Sequence, residues 1–110
     1  MNIGELYWVE FPARGGHAQA GRCPAIIAQV PSTLPTALLV PLTSRLDALR
    51  FPGTVLVEAS RQNGLRHHSV ALVFQLTAVD KRYISEQLGT ASDAVMAQIW
   101  SALDALTGRV

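Results

Sequence analysis

The sequence predicts a mainly β fold with a C-terminal helix (α+β), a small antiparallel, barrel-like sheet forming one domain over residues 1–110. Two observations predict it. Short apolar or alternating runs recur between turns rich in glycine and proline, the pattern of a compact antiparallel sheet. The last segment instead repeats its apolar residues at helical spacing and carries caps at both ends.

GELYWVEF (4–11) is rich in aromatic and β-branched residues and stops at Pro12, which marks a first strand. PARGGHAQAGRC (12–23) has glycines, small residues and charge without a period, and is expected to form a long loop. PAIIAQV (24–30) is a continuously apolar strand, PSTLP (31–35) a turn, and TALLVPL (36–42) a third buried strand. TSRLDALRFP (43–52) forms a second polar loop. GTVLVEA (53–59) alternates, and the Asn-Gly of SRQNGL (60–65) signals a tight reversal, so 53–59 and 66–79 are expected to pair as a hairpin. DKRYISEQL (80–88) is expected to make a short helical turn. In the final helix Ser92 suits the N-cap, Asp93 the positive end and Gly108 the position past the other end. Val95, Met96, Ile99, Trp100, Leu103 and Leu106 form its apolar stripe, which is expected to pack on the sheet.

Composition narrows the function classes. Nearly half the residues are apolar and charge is sparse, so the chain is globular. At this size it buries one modest core and gains from a partner subunit. No apolar run approaches the roughly 20 residues that span a bilayer, so no membrane partner is expected. MNIGELYWVEF lacks the regions of a signal peptide, and a single cysteine cannot form an internal disulfide, so a cytoplasmic location is expected. The net charge is only +1, yet eight of nine basic residues are arginine, and Arg14, Arg22, Arg45, Arg50, Arg61 and Arg66 fall in loops or at their edges. Arginine's planar fork matches phosphate oxygens, so converging loops would make a phosphate-binding face beneath a neutral average.

The chemistry-bearing residues point the same way. His67 and His68 are adjacent, and on a strand they would face opposite sides, so no metal site is expected. The glycines form no phosphate-loop or dinucleotide fingerprint, and no cofactor is implied. Cys23 beside Arg22 fits either a thiol activated by its cationic neighbour or, more commonly, a small buried residue entering a strand. Two places remain. His17, with Arg22 as companion, brings the side chain that titrates nearest neutrality into the first loop. In Leu42-Thr43-Ser44-Arg45, two hydroxyls and an arginine leave a strand end together, a plausible phosphate grip.

Taken in order, these pieces resemble the MazF/PemK family of type II toxin–antitoxin endoribonucleases over nearly the full length. GELYWVEF is similar to that family's first strand. GGHAQAGRCPAIIAQ is similar to its loop-and-strand signature, written loosely G-[SH]-E-Q-x-G-x-R-P-[AV]-[LIV]. VPLTS matches its strand-end hydroxyl motif, and SVALVFQLTAVDKRYI the segment that usually carries an acidic residue followed by Gln. The resemblance implies a small SH3-like barrel of the CcdB/MazF type that dimerises and cuts single-stranded RNA at short sequences without metal. It also implies a cognate antitoxin whose acidic, partly disordered tail lies over the same loops. Carried over by position, His17, Arg22, Thr43 and Ser44 are the expected catalytic residues, and Arg14, Gln19, Arg45 and Gln75 the expected RNA contacts. The chain departs from the family at Ala18, Cys23 and Phe74, where glutamate, arginine and often aspartate are usual. VPLTSRL also resembles the strand end of CcdB, so a non-catalytic poison of DNA gyrase, or a degenerate antitoxin-binding module, is the alternative. The Trp-Gly-Ile typical of the CcdB C-terminus is missing.

Overall fold

The computed structural model describes residues 1–11 and 21–109. Seven strands precede one helix. They are β1 (Glu5–Phe11), β2 (Gly21–Gln29), β3 (Thr36–Thr43), β4 (Thr54–Val57), β5 (Ser69–Leu72), β6 (Thr77–Asp80) and β7 (Ile84–Thr90), followed by α1 (Asp93–Thr107). Short 3-10 turns occupy Leu46–Arg50, Val73–Gln75 and Lys81–Tyr83. All pairings are antiparallel, in the order β4-β5-β3-β2-β1-β7, with β6 on β3 beside β5. This is the expected mainly β sheet with a C-terminal helix, but among the described residues the ladder does not close into a barrel.

β2 and β3 sit at the centre, and both are buried on two faces, which explains why PAIIA and ALLVPL read as continuous apolar runs. One core cluster unites Leu6, Ile26, Val40, Leu42, Val55, Val57, Val73 and Ile99 beneath the helix. The other collects Val9, Phe11, Cys23, Ala25, Ile27, Leu39 and Val79 on the opposite side. Fully burying a side chain such as Ile26 or Ile27 contributes roughly 1.5–3 kcal/mol. The helix packs through Ile99, with Val95, Met96 and Leu103 half-buried around it. The stripe is narrower than its spacing suggests, because Trp100 and Leu106 remain exposed. Both caps form as expected: Ser92 Oγ accepts from the Val95 N–H, and Gly108 adopts φ +76°.

Three local readings need correction. The segment 80–88 is not a helical turn beyond Lys81–Tyr83; most of it is β7, paired to β1 as Glu5↔Thr90, Leu6↔Gly89 and Val9↔Ile84. Ile84 and Leu88 are four apart, a spacing that suits either structure, and the otherwise open edge of β1 decides for the strand. The run SVALVFQLTAV is two strands, because the turn at Val73–Gln75 breaks it. β5 pairs with Leu42 and Thr43 of β3, whereas β6 pairs with Thr36–Leu39.

The third correction concerns Asn63-Gly64. β4 and β5 do pair, but the connection is the long loop 58–68 rather than a two-residue reversal. Asn63 is buried and organises it: Oδ1 accepts from the Ser60 and Leu65 N–H groups at 3.0 Å each, and Nδ2 donates to the Glu58 carbonyl at 2.8 Å. The loop then docks on β7, where the Thr90 N–H donates to the Gln62 carbonyl at 2.8 Å. Gly64 has φ +71°, and a Cβ there would run into the Leu88 carbonyl, so only glycine fits this approach. His67 and His68 consequently lie in the loop and not on a strand.

Candidate functional site

A groove of about 740 Å³ opens where β1, β2, the end of β3 and the loop 58–68 meet. The β1–β2 register builds its first wall. Trp8 pairs with Pro24 and Glu10 with Arg22, so Trp8, Glu10, Pro24 and Arg22 share one face, while Val9 and Cys23 share the other. The guanidinium carbon of Arg22 lies over the Trp8 ring, 4.3 Å from its centroid. Such a stack contributes about 0.5–2 kcal/mol depending on exposure. Cys23 is buried, its wall shared with the second core cluster, which is the commoner of the two outcomes expected for it.

The floor is the end of β3, where Leu42 is core and Thr43 and Ser44 emerge. Thr43 Oγ1 accepts from the Arg45 N–H at 3.2 Å, which fixes the turn out of the strand. The second wall comes from the loop 58–68, through Leu65, Arg66 and His67. Ser69 is buried, and its Oγ donates to the His67 carbonyl at 3.0 Å, anchoring that backbone. His68 turns the other way, its Nδ1 accepting from the Ala59 N–H at 2.9 Å.

A second cleft of about 510 Å³ adjoins the first, and Thr43 borders both. Arg45 and Gln75 line it together with Phe51 and Phe74, whose ring centroids are 6.1 Å apart. Asp47 holds both neighbouring arginines, at 3.4 Å to Arg45 and 3.9 Å to Arg50. Among the expected site residues, therefore, Arg22, Thr43 and Ser44 meet in the groove, while Arg45 and Gln75 lie in the adjoining cleft. Arg14, His17 and Gln19 lie outside the described residues.

Three lining residues stand outside the catalytic and RNA-contact sets expected from the sequence, although Arg66 is among the six arginines of the expected phosphate-binding face. Trp8 passes for one of several strand aromatics, Arg66 for one loop arginine among many, and His67 was weighed only as a metal ligand. The available signal was Arg66-His67 following a buried Asn-Gly loop and immediately preceding a strand. Among the described residues, no three His, Cys, Asp or Glu side chains converge where they could hold a metal ion. None of the groove's described lining residues is a carboxylate.

The sequence model of the family described as PemK-like, MazF-like toxin of type II toxin-antitoxin system matches residues 2–107. The chain belongs to this family. Its MazF-like character extends to individual relatives. It is 29% identical to the endoribonuclease MazF of Staphylococcus saprophyticus, over 98% of this chain and 92% of that protein. Among solved structures, MazF from Deinococcus radiodurans superposes with a TM-score of 0.82 at 29% identity, covering 98% of this chain and 96% of that one. The toxin in the MazE-MazF complex of the same organism superposes with a TM-score of 0.76 at 30% identity, covering 100% and 97%. No helix of the described residues is long and apolar enough to cross a membrane.

Proposed function

We propose that this MazF-like toxin cleaves single-stranded RNA at short sequences, without metal, by attack of a ribose 2′-OH on the adjacent phosphate. The observation that carries the reading is one groove bearing Arg22, Thr43, Ser44 and Arg66, with no carboxylate among its described lining residues to repel a phosphate. That its relative from Staphylococcus saprophyticus is named an endoribonuclease supports RNA as the substrate.

In the reaction the 2′-oxygen bonds to phosphorus and the bond to the 5′-oxygen breaks, leaving a cyclic phosphate and a free 5′-OH. Negative charge builds on the two non-bridging oxygens of the phosphorane. The Arg22 fork and the hydroxyls of Thr43 and Ser44 offer donors of the kind that stabilise it. His17 is the proposed proton donor to the departing 5′-oxygen. Arg14, Gln19, Arg45 and Gln75 are the proposed contacts to flanking nucleotides, with Trp8 and Leu65 offering apolar surface to unstacked bases.

Two partners follow from the same reading. A cognate antitoxin with an acidic tail would cover these cations, as the existence of the MazE-MazF complex supports. The toxin would act as a homodimer, since Trp100, Leu106 and Leu56 leave large apolar groups exposed on a single chain, and an RNA substrate would place it in the cytoplasm. The test is purified protein in excess chelator with a single-stranded RNA. Cleavage with cyclic-phosphate ends, blocked by a 2′-deoxy substitution at the cut and weakened about 10²-fold or more in Arg22→Ala, is the expected result. Intact RNA would overturn the reading, and gyrase inhibition in its place would establish the non-catalytic alternative.

A further inference from the structure

Cleavage by 2′-OH attack needs a base, and the described lining of the groove narrows the choice. Arg22 and Arg66 carry guanidinium groups, which are donors without an acceptor site, so neither takes the proton. Thr43, Ser44 and Ser69 carry hydroxyls that are themselves poor bases, and Ser69 is buried with its Oγ committed to the His67 carbonyl. Cys23 turns into the second core cluster. No Asp or Glu is among the groove's described lining residues. What remains is His67, which is exposed, borders the groove directly, and makes no side-chain hydrogen bond to any described residue.

We infer that His67 is the general base of this groove, a role that rests on the RNA-cleaving reading above. Its imidazole takes the proton of the attacking 2′-OH as the 2′-oxygen bonds to phosphorus. The electron pair of the broken bond leaves on the 5′-oxygen, which takes up a proton from the acid or from solvent, and the imidazolium then returns its proton to solvent. Imidazole suits this step because it changes charge between about pH 5 and 8.

The surroundings favour that use. Ser69 holds the His67 backbone from below, and the docking of Asn63 and Gly64 sets where the loop stands. Among the described residues, the titratable and charged groups that share a groove with His67 are Arg22, Arg66, Cys23 and His68. His68 is already committed as an acceptor to the Ala59 N–H, which leaves His67, of the two described histidines, open to substrate. The two histidines thus divide into a structural member and a reactive one.

The experiment uses the full chain with His67→Gln and His67→Ala, each checked for native circular dichroism. Single-turnover cleavage is followed from about pH 5 to 9, and binding is measured separately with a 2′-deoxy-substituted oligonucleotide that cannot be cut. We expect cleavage to fall by about 10²-fold or more with binding changed less than threefold. The acid limb of the pH–rate profile should disappear, and added imidazole should restore part of the rate to His67→Ala. Cleavage within threefold of the parent on an unchanged profile would overturn the assignment. Parallel loss of binding and cleavage would overturn it too, making His67 an RNA contact. A folded parent protein that cuts no RNA would sink the RNA-cleaving reading itself, and the base with it.

Discussion

Arg22 lies on Trp8, guanidinium over indole at 4.3 Å, with their strands aligned so that both face the groove. Glu10 lies across the ladder from Arg22, but among the described residues no carboxylate forms an ion pair with that guanidinium, so the ring is what orients its fork. Trp8→Leu is therefore expected to lower cleavage by roughly 2- to 30-fold, the range a lost cation–π contact implies. Trp8→Phe should retain most of the activity. A Trp8→Leu enzyme as active as the parent, or a Trp8→Phe enzyme as poor as Trp8→Leu, would show that the stack does not position Arg22.

Gly64→Ala should destabilise the fold by roughly 1–3 kcal/mol, because it combines a left-handed backbone with a collision against the Leu88 carbonyl. Gly21→Ala is the control. Gly21 also has a positive φ, of +81°, but its Cβ would meet no described atom within 4 Å, so only the backbone cost of about 1–2 kcal/mol applies. Urea denaturation reads both, as midpoints shifting at constant slope. Equal shifts for the two variants would contradict the proposed contact with β7.

Arg66→Ala should weaken RNA binding most at low salt. If its guanidinium neutralises one phosphate, the slope of log affinity against log salt falls by about 0.7, the value for a single strand. Fluorescence anisotropy across a salt series measures it. An unchanged slope would assign Arg66 to something other than a phosphate.

Stability should respond to acid through Glu5. The Asn2 N–H donates to Glu5 Oε1 at 2.6 Å and the Tyr7 hydroxyl donates at 3.1 Å, which together hold the Glu5 carboxyl below its ordinary range. A carboxyl lowered on folding stabilises the protein fully above its unfolded value, and that contribution fades as pH falls through the folded one. Melting temperatures of the parent and Glu5→Gln should thus differ near neutrality and converge as the solution is acidified. A difference that stays constant down through the carboxylate range would refute the link.

The strands 4–11, 24–30 and 36–42 and the C-terminal helix were legible because their signals are local: two-sided burial, bounding prolines, and a Ser92 cap matched by Gly108. The corner at Val73–Gln75 was not, since the uniformly apolar SVALVFQLTAV hides a change of partner along β3. β7 was missed because Ile84 and Leu88 suit either period, and only the open edge of β1 decides. The site divides in the same manner. Thr43-Ser44 at a strand end and Arg22 in its motif are visible in one dimension. Trp8 and His67 are not, because their arrival depends on the β1–β2 register and on Asn63 folding its loop back toward β7.

The central place of β3 has a mechanical consequence. It is bonded to β2 on one side and to β5 and β6 on the other, so Thr43 stands on a strand held from both flanks. The opposing wall, with Arg66 and His67, belongs to a loop pinned at separate points: by Asn63 to the Glu58 carbonyl, by Thr90 to the Gln62 carbonyl, by Ser69 to the His67 carbonyl and by the close approach of Gly64 to Leu88. The groove thus sets an anvil of paired strands against a wall held by scattered single bonds, so the position of Thr43 is shared along a whole strand while that of His67 depends on a few named contacts.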